Sequence, residues 1–311
     1  MSIPIITVVG SFAVGMTIRT SHMPVFGETL VGSDFDMGPG GKGSNQAVGT
    51  ARLGANSSFV GVIGNDKLGE IATELYAQEG VDTRYLECTS EAATGVGFII
   101  LNQKGENGII LDLSANLLMN PERVDRAEEQ IARSKVVMSV LEIPVPAAIR
   151  AMELARRHGA IALLNPAPAA PIDPADLQHV DVLTPNETEL RILLGLAPDD
   201  PTPTPELAVR LRERGVRTIV VTQGEKGALI LTDGDPVHVP PVQVDVVDTT
   251  GAGDAFNSGL AIALAEGKSL VDAVRFGVCT GALACTKLGV IPALPKREAA
   301  EELLRKNFGV H

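Results

Sequence analysis

The chain has 311 residues, 26 of them Lys or Arg and 38 Asp or Glu, for a formal net charge of −12. So acidic a balance excludes general binding to nucleic acid or to anionic membrane surfaces, which needs a basic face, and 3% aromatic residues with no Trp leave no platform for base stacking. With 45% hydrophobic and 21% charged residues the chain is globular rather than disordered, and its length suits one large domain or two modest ones.

The apolar stretch at residues 3–9 is short and follows no basic cluster, so it predicts a first β-strand rather than a signal peptide. Further strand-like runs stand at 58–63, 136–141, 161–164, 180–183 and 218–222. Between them lie amphipathic stretches at 45–53, 68–78, 121–132, 145–158, 187–194 and 206–214. Strands alternating with helices predict an α/β fold with a mostly parallel sheet and helices on both faces. Two segments break the pattern: 17–37 and 94–113 carry strand-like pieces at 29–31, 96–101 and 108–113 without helices, joined across a hairpin turn at 102–107. They predict a small β lid formed by 15–37 and 94–113, on a core of 1–14, 38–93 and 114–311. The Pro-rich stretch after Leu196 is expected to be a surface loop before a helix. A strand-like piece at 242–246 precedes a mostly helical end, with helices expected at 251–266, 270–286 and 296–306.

Cys88, Cys279 and Cys285 form no C-x-x-C pair, and His22, His158, His179, His238 and His311 have no ligand spacing to one another. Neither a disulfide framework nor a zinc site follows. No apolar run approaches about 18 residues, which excludes a transmembrane helix. The expectation is a soluble, cytoplasmic protein.

Two glycine clusters carry the chemistry. The first, Gly38-Pro-Gly-Gly-Lys-Gly-Ser-Asn45, formally matches G-x-G-x-x-G through Gly38, Gly40 and Gly43. A dinucleotide fingerprint belongs directly between the first strand and its helix, whereas lid strands intervene here. It is not a P-loop, since Gly41-Lys42 is followed by Gly43 instead of Ser or Thr. Adjacent glycines would let a polar ligand touch the backbone, with Lys42 and Asn45 donating to its hydroxyls; a turn that merely starts a helix is the alternative. In the second cluster, Val247-Asp-Thr-Thr-Gly-Ala-Gly-Asp-Ala-Phe256, Gly251 and Gly253 keep first-turn amides clear of side chains, which makes an anion site at a helix N-terminus. Asp254 stands beside it, either as a favourable first-turn carboxylate or as a base. A base next to an anion cradle is what phosphoryl transfer to an alcohol needs.

DTTGAGDAF at 248–256, with GGKGSNQA at 40–47, closely resembles the two signature motifs of the ribokinase-like (PfkB-type) carbohydrate kinases. Leu141-Glu142, Asn165-Pro-Ala-Pro-Ala169, Thr184-Pro-Asn-Glu-Thr-Glu189, Thr222-Gln-Gly224 and Leu288-Gly-Val-Ile-Pro292 look like family segments in the same order. The resemblance spans essentially the whole chain and is closest to the ribokinase branch. It implies a three-layer ribokinase-like fold and ATP-dependent phosphorylation of the primary hydroxyl of a monosaccharide. Asp254 would be the base, and the amides of Gly251, Ala252 and Gly253 the anion hole. Gly41, Lys42, Asn45 and Glu142 match sugar-binding positions. Asn186 and Glu189 match positions near the triphosphate and Mg²⁺, with a helix N-terminus and its capping residues as the alternative. Thr222 and Gly224 match the nucleotide site. An activating K⁺ would be held by the Asp248 side chain and the carbonyls of Thr250, Cys285, Leu288 and Val290. Pairing of two lids into a homodimer is a further implication.

One departure stands out. Ribokinases usually carry Asn-x-Asp after the first strand, where this chain has Ala13 and Gly15. That implies a changed substrate, with D-ribose a poor one, and Asp112 on a lid strand is a candidate substitute acceptor. A ketose, nucleoside or phosphosugar kinase, a non-catalytic sugar or nucleotide sensor, and a dinucleotide-dependent oxidoreductase are the competing readings.

Overall fold

The computed structural model describes residues 3–102 and 107–309. In chain order the strands are β1 (Ile5–Val9), β2 (Ala13–Arg19), β3 (Ser33–Gly40), β4 (Asn56–Gly64), β5 (Asp82–Thr89), β6 (Gly95–Leu101), β7 (Asn107–Asp112), β8 (Val136–Val140), β9 (Ile161–Asn165), β10 (Val182–Leu183), β11 (Thr218–Thr222), β12 (Ala228–Leu231) and β13 (Val237–Val239). The helices are α1 (Lys42–Arg52), α2 (Lys67–Glu79), α3 (Pro121–Asp125), α4 (Glu128–Arg133), α5 (Val145–Arg157), α6 (Pro174–Leu177), α7 (Glu187–Leu193), α8 (Thr204–Arg212), α9 (Ala252–Ala265), α10 (Leu270–Ala284), α11 (Val290–Ala293) and α12 (Arg297–Phe308).

Nine strands form the main sheet in the order β13-β12-β11-β10-β9-β8-β1-β4-β5. Pairing is parallel from β11 to β5 and antiparallel at β11–β12 and β12–β13. Its strands are apolar on both sides because helices cover both faces. Successive side chains point to opposite faces, so Ile6 and Val8 join one buried cluster and Val9 the other. Val136 and Met138 alternate with Val137, and Val220 with Ile219 and Val221, in the same way. Residues of α1, α2, α9, α10 and α12 complete the first cluster, and residues of α5, α7 and α8 the second. No helix among the described residues is long and apolar enough to cross a membrane.

A separate four-stranded sheet, in the order β3-β2-β6-β7, sits beyond the C-terminal end of β1. The expected strand at 29–31 is irregular chain. Its first two strands in the chain, Ala13–Arg19 and Ser33–Gly40, extend past 15–37 at both ends. Residues 103–106 of the expected hairpin turn lie outside the described residues. The strand-like piece at 242–246 is also irregular; Pro240 and Pro241 lead into it without N–H donors for a ladder. The helix expected at 121–132 is two helices, α3 and α4. Strands β5, β12 and β13 escape a sequence reading because they lie toward the two edges of the sheet. Polar residues interrupt β5 and β13, and β12, a short apolar run, has no crossover helix to frame it in the final hairpin.

Candidate active site

The site begins at the N-terminus of α1, which is pressed onto the link between β1 and β2. Gly41 has φ +88°, and a Cβ there would lie 2.7 Å from Ala13 N and 2.8 Å from Phe12 Cα, so only glycine fits. The first-turn amides of α1 then find partners across the chain: Gly43 N donates to Ser11 Oγ (3.3 Å), Ser44 N to Ser11 O (2.8 Å) and Lys42 N to Glu142 Oε2 (2.8 Å). Ser11 Oγ donates to the same carboxylate oxygen at 2.5 Å. Glu142 is buried just beyond β8. Burial pushes its carboxyl above the ordinary range, opposed by Lys42 and by the Ser11 hydroxyl.

Helix α1 packs against α9 at Gly49, whose missing Cβ leaves room for the Ser258 hydroxyl. This contact brings both glycine clusters together. Asp254, in the first turn of α9 and 5% exposed, accepts Asn45 Nδ2 at Oδ2 (2.8 Å) and Gln46 Nε2 at Oδ1 (3.1 Å). Gln46 Nε2 also donates to Asn165 Oδ1 (3.1 Å), Asn165 Nδ2 to Thr184 O (3.1 Å), Thr184 Oγ1 to Asn257 Oδ1 (2.6 Å) and Asn257 Nδ2 to Gly253 O (2.8 Å). A buried polar chain thus runs from the Asp254 carboxylate through two strand ends and back to the loop that carries it.

Lys42 lies in the field of three carboxylates. Burial alone would lower its pKa, but Asp254, Glu142 and Glu189 outweigh it and hold the ammonium above its ordinary value. Residues from the sugar-side and nucleotide-side motifs are therefore gathered at one place. Glu189 is raised by burial, against Asn186 N and Lys42. Asn186 and Glu189 form a reciprocal capping box on α7, with Glu189 N on Asn186 Oδ1 and Asn186 N on Glu189 Oε2, both at 2.8 Å. Asn186 is bridged to Thr222 at the end of β11, and Gly224 follows at φ +55°.

At the N-terminus of α9, Gly251 has φ +79° and a Cβ there would meet Val290 Cγ1 at 2.5 Å. Gly253 differs: its backbone is helical and nothing lies within 4 Å of a Cβ built on it. The fold does not need glycine there, so the space is available to a ligand approaching the helix dipole. Ala252 N donates to Thr249 O (3.2 Å), whereas Gly251 N and Gly253 N, ahead of the first intrahelical bonds, have no helical acceptor.

The expected cation ligands also converge. Asp248 Oδ1 accepts Thr250 N (2.9 Å) and Thr250 Oγ1 (2.6 Å), and Oδ2 accepts Gly289 N (3.1 Å). Burial would raise the Asp248 carboxyl, but these bonds hold it below its ordinary value. The Cys285 carbonyl accepts both Val247 N (2.8 Å) and Asp248 N (3.2 Å), and the Val290 carbonyl accepts Leu294 N (3.2 Å). Both lone pairs of the Cys285 carbonyl are thus used by backbone donors, whereas the Val290 carbonyl keeps one, so the donor set fits a cation except at Cys285.

The small sheet has two distinct faces. Val14 and Met16 pack on the buried cluster shared with α2. The opposite face carries a cross-strand row of Gly38, Gly15, Gly97 and Leu111. Asp112 pairs with Val96 in the row of Val14, on the wrong face to replace an acceptor at Gly15, and its carboxylate accepts Ser114 N (3.0 Å). The strand alternation of side chains corrects that expectation.

Sequence reasoning missed Ser11, Gln46, Asn165 and Asn257. A signal was available for Gln46: residues 43–51 contain no charge, as befits a helix buried on all sides.

The model of the pfkB family of carbohydrate kinases matches residues 5–297. A ribokinase of Haemophilus influenzae is 37% identical over 299 residues, covering 96% of this chain and 98% of the relative. A deoxyribokinase of Salmonella typhi is 35% identical over 303 residues, covering 97% and 99%. The structure of an Arabidopsis thaliana ribokinase complexed with ribose and ATP superimposes with a TM-score of 0.90 at 30% identity, covering 98% of this chain and 99% of the other.

Proposed function

Because the chain belongs to the pfkB family of carbohydrate kinases, phosphotransferases with an alcohol acceptor, we propose that it transfers the γ-phosphoryl group of ATP to the primary hydroxyl of a monosaccharide. Asp254 is the base, and the amides of Gly251, Ala252 and Gly253 form the anion hole. The observation that carries this reading is the placement of a buried carboxylate, held only by amide donors, beside the open space at Gly253. Asp254 takes the proton of the attacking hydroxyl, and Asn45 and Gln46 hold its carboxylate in aim. The first-turn amides of α9 and the Lys42 ammonium absorb charge on the transferring group.

Glu142, Lys42, Asn45 and Gly41 bind the sugar hydroxyls. The glycine-lined face of the small sheet lies over the sugar and excludes water that would compete as acceptor. The nucleotide lies toward Asn186, Thr222 and Gly224. Glu189, a carboxylate disfavoured as an anion by burial, suits a site next to Mg²⁺, which supplies charge neutralisation on the triphosphate. K⁺ would have Asp248 and the carbonyls of Thr250, Leu288 and Val290 at once, and that of Cys285 only after it releases a backbone donor. The other face of the lid exposes Met37, Phe98 and Ile110 in one row, which supports pairing of two lids in a homodimer.

The test is ADP release with ATP·Mg²⁺ across pentoses, hexoses, ketoses and nucleosides. Sugar-dependent release is expected. Its absence for every acceptor would leave the sensor reading in its place.

A further inference from the structure

Four crossings join the small sheet to the core: Phe12 before β2, Gly41 after β3, Thr94 leading into Gly95 at the start of β6, and Leu113 after β7. Three of them meet around one side chain, and the fourth packs on Phe12. Asn116, fully buried in the 3₁₀ turn Ser114–Leu118, accepts Phe12 N at Oδ1 (2.9 Å) and donates Nδ2 to Phe12 O (2.8 Å) and Leu113 O (2.8 Å). One N–H and two carbonyls as partners fix the orientation of the amide and use both of its donors. Gly95 packs on the same amide, where a Cβ would lie 2.5 Å from Asn116 Nδ2. Gly41 packs on Phe12 from the other side. The residue before Phe12 is Ser11, which holds Glu142 and the first turn of α1.

We infer that Asn116 is a positioning residue for the reaction: it fixes the joint of the lid relative to the core, and through Phe12 and Ser11 it sets the sugar-side position of Glu142 and Lys42. The inference rests on the kinase reading, in which the lid closes over the sugar. A loosened joint weakens sugar binding and admits water to the transferring group, whereas the nucleotide end of the sheet is untouched. Asn116 itself need not touch either substrate.

The test compares the unmodified protein with Asn116→Ala and with Leu211→Ala, a buried position of α8 outside the site that serves as a control for lost stability. ADP release without sugar is measured beside sugar phosphate formation, using the best acceptor among D-ribose, 2-deoxy-D-ribose and D-fructose. Asn116→Ala is expected to raise the sugar KM about tenfold, the effect of one or two lost buried hydrogen bonds. The ATP KM should hold, and the share of ADP released without sugar phosphate should rise. Leu211→Ala is expected to lower the melting temperature and change neither readout. Loss of stability alone in Asn116→Ala, with sugar KM and coupling as in Leu211→Ala, overturns the inference. If Asn116→Ala does not accumulate as folded protein, Gly95→Ala presses on the same amide and is judged by the same two readouts. No sugar-dependent ADP release from the unmodified protein would sink the kinase reading and this inference with it, a result distinct from the first.

Discussion

Asn45 donates its side-chain amide to Asp254 at 2.8 Å, joining residues 209 apart in sequence and both glycine clusters in one hydrogen bond. Gln46 holds the other carboxylate oxygen. The remaining oxygens of these two amides, Asn45 Oδ1 and Gln46 Oε1, are buried without a partner. The Asn45 amide can therefore flip and offer its oxygen in place of its nitrogen, whereas Gln46 Nε2 is also held by Asn165 Oδ1. This makes Asp254→Asn a clean test of the base. The new amide would find an acceptor by such a flip, so the variant is expected to fold with a near-normal melting temperature. Losing a general base typically costs about 10²–10⁴-fold in rate. Steady-state kcat of the folded variant decides the matter, and turnover near that of the unmodified protein removes Asp254 from the mechanism.

Gly253 is free of steric need, whereas Gly251 is held at φ +79° against Val290. Gly253→Val would project a β-branched side chain into the open space over the first turn of α9. Valine is a somewhat better helix former than glycine, so propensity does not weaken the helix there. Phosphoryl transfer is expected to collapse while sugar binding by calorimetry persists. Unchanged turnover would mean that the space over Gly253 receives no part of the nucleotide.

The site residues legible in the sequence are those whose role depends on local backbone chemistry. Two glycines beside a carboxylate at a helix start can be seen without a structure, and so can the strand-helix alternation behind the main sheet. Gln46 and Asn165 sit inside recognisable motifs but show no role there, because polar residues look alike in sequence whether they face water or a buried carboxylate; only the charge-free run around Gln46 points to burial. Asn116 is the extreme case: its partners are the backbone of Phe12, 104 residues away, and atoms that every residue owns leave no trace in composition. Asp112 fails for a related reason. A shift of one residue along a strand reverses the face, and only the pairing with Val96 reveals which face it takes.

Glu142 links the site to pH. Its carboxyl is raised in the folded chain, chiefly by burial, above an ordinary value of about 4.3. The folded state then binds this proton more tightly than the unfolded state does. The contribution to stability is largest below the ordinary value, falls as pH rises from there to the folded pKa, and is constant above it. Glu142→Gln removes this slope and keeps an acceptor for Ser11 or Lys42 N. Urea titrations at several pH values should show the stability of the unmodified protein, minus that of the variant, falling as pH rises through this window. The sugar KM of the variant is expected to rise about tenfold, as for a lost bond to a charged group. A stability difference flat with pH would mean that Glu142 titrates alike in both states.

Asp248 offers a test of the cation proposal. Among the described residues it has no ion-pair partner, and all the groups bonded to it are N–H or O–H donors. K⁺ is expected to raise turnover over that in a buffer of large organic cations, and Asp248→Asn to remove the response. Ordering of the loop that carries Gly251 is the route by which the ion would act. Indifference to K⁺ over a full titration would overturn the cation proposal and leave the Cys285 carbonyl with both its backbone partners.

The last prediction concerns the sugar. Gly15 stands where the family's Asn-x-Asp motif would place its carboxylate, in a row with Gly38 and Gly97. A Cβ built on Gly15 would lie 3.6 Å from Ile99 Cδ1 and 3.7 Å from Gly38 O, ordinary contacts, and its φ is not positive. Neither crowding nor backbone strain therefore demands glycine, and an aspartate can be accommodated. In the unmodified protein the row of Gly38, Gly15 and Gly97 itself offers no side-chain acceptor, the nearest on this face being Thr17 and Asp36 in the next row. Ribose in the pose implied by the family would leave a hydroxyl unsatisfied there, or served only by water. D-ribose is accordingly expected to be a poor substrate beside a sugar that is deoxygenated or bulkier at that end. Gly15→Asp should improve kcat/KM for ribose by about 1–3 kcal/mol of transition-state binding, roughly 5- to 150-fold. The same change should impair use of the preferred sugar, because the space it fills is then taken. Measuring kcat/KM for both sugars in both proteins checks the sign of each effect. If the unmodified protein already uses ribose best and Gly15→Asp brings no gain, the missing acceptor is supplied from outside the lid row and the substrate reading fails.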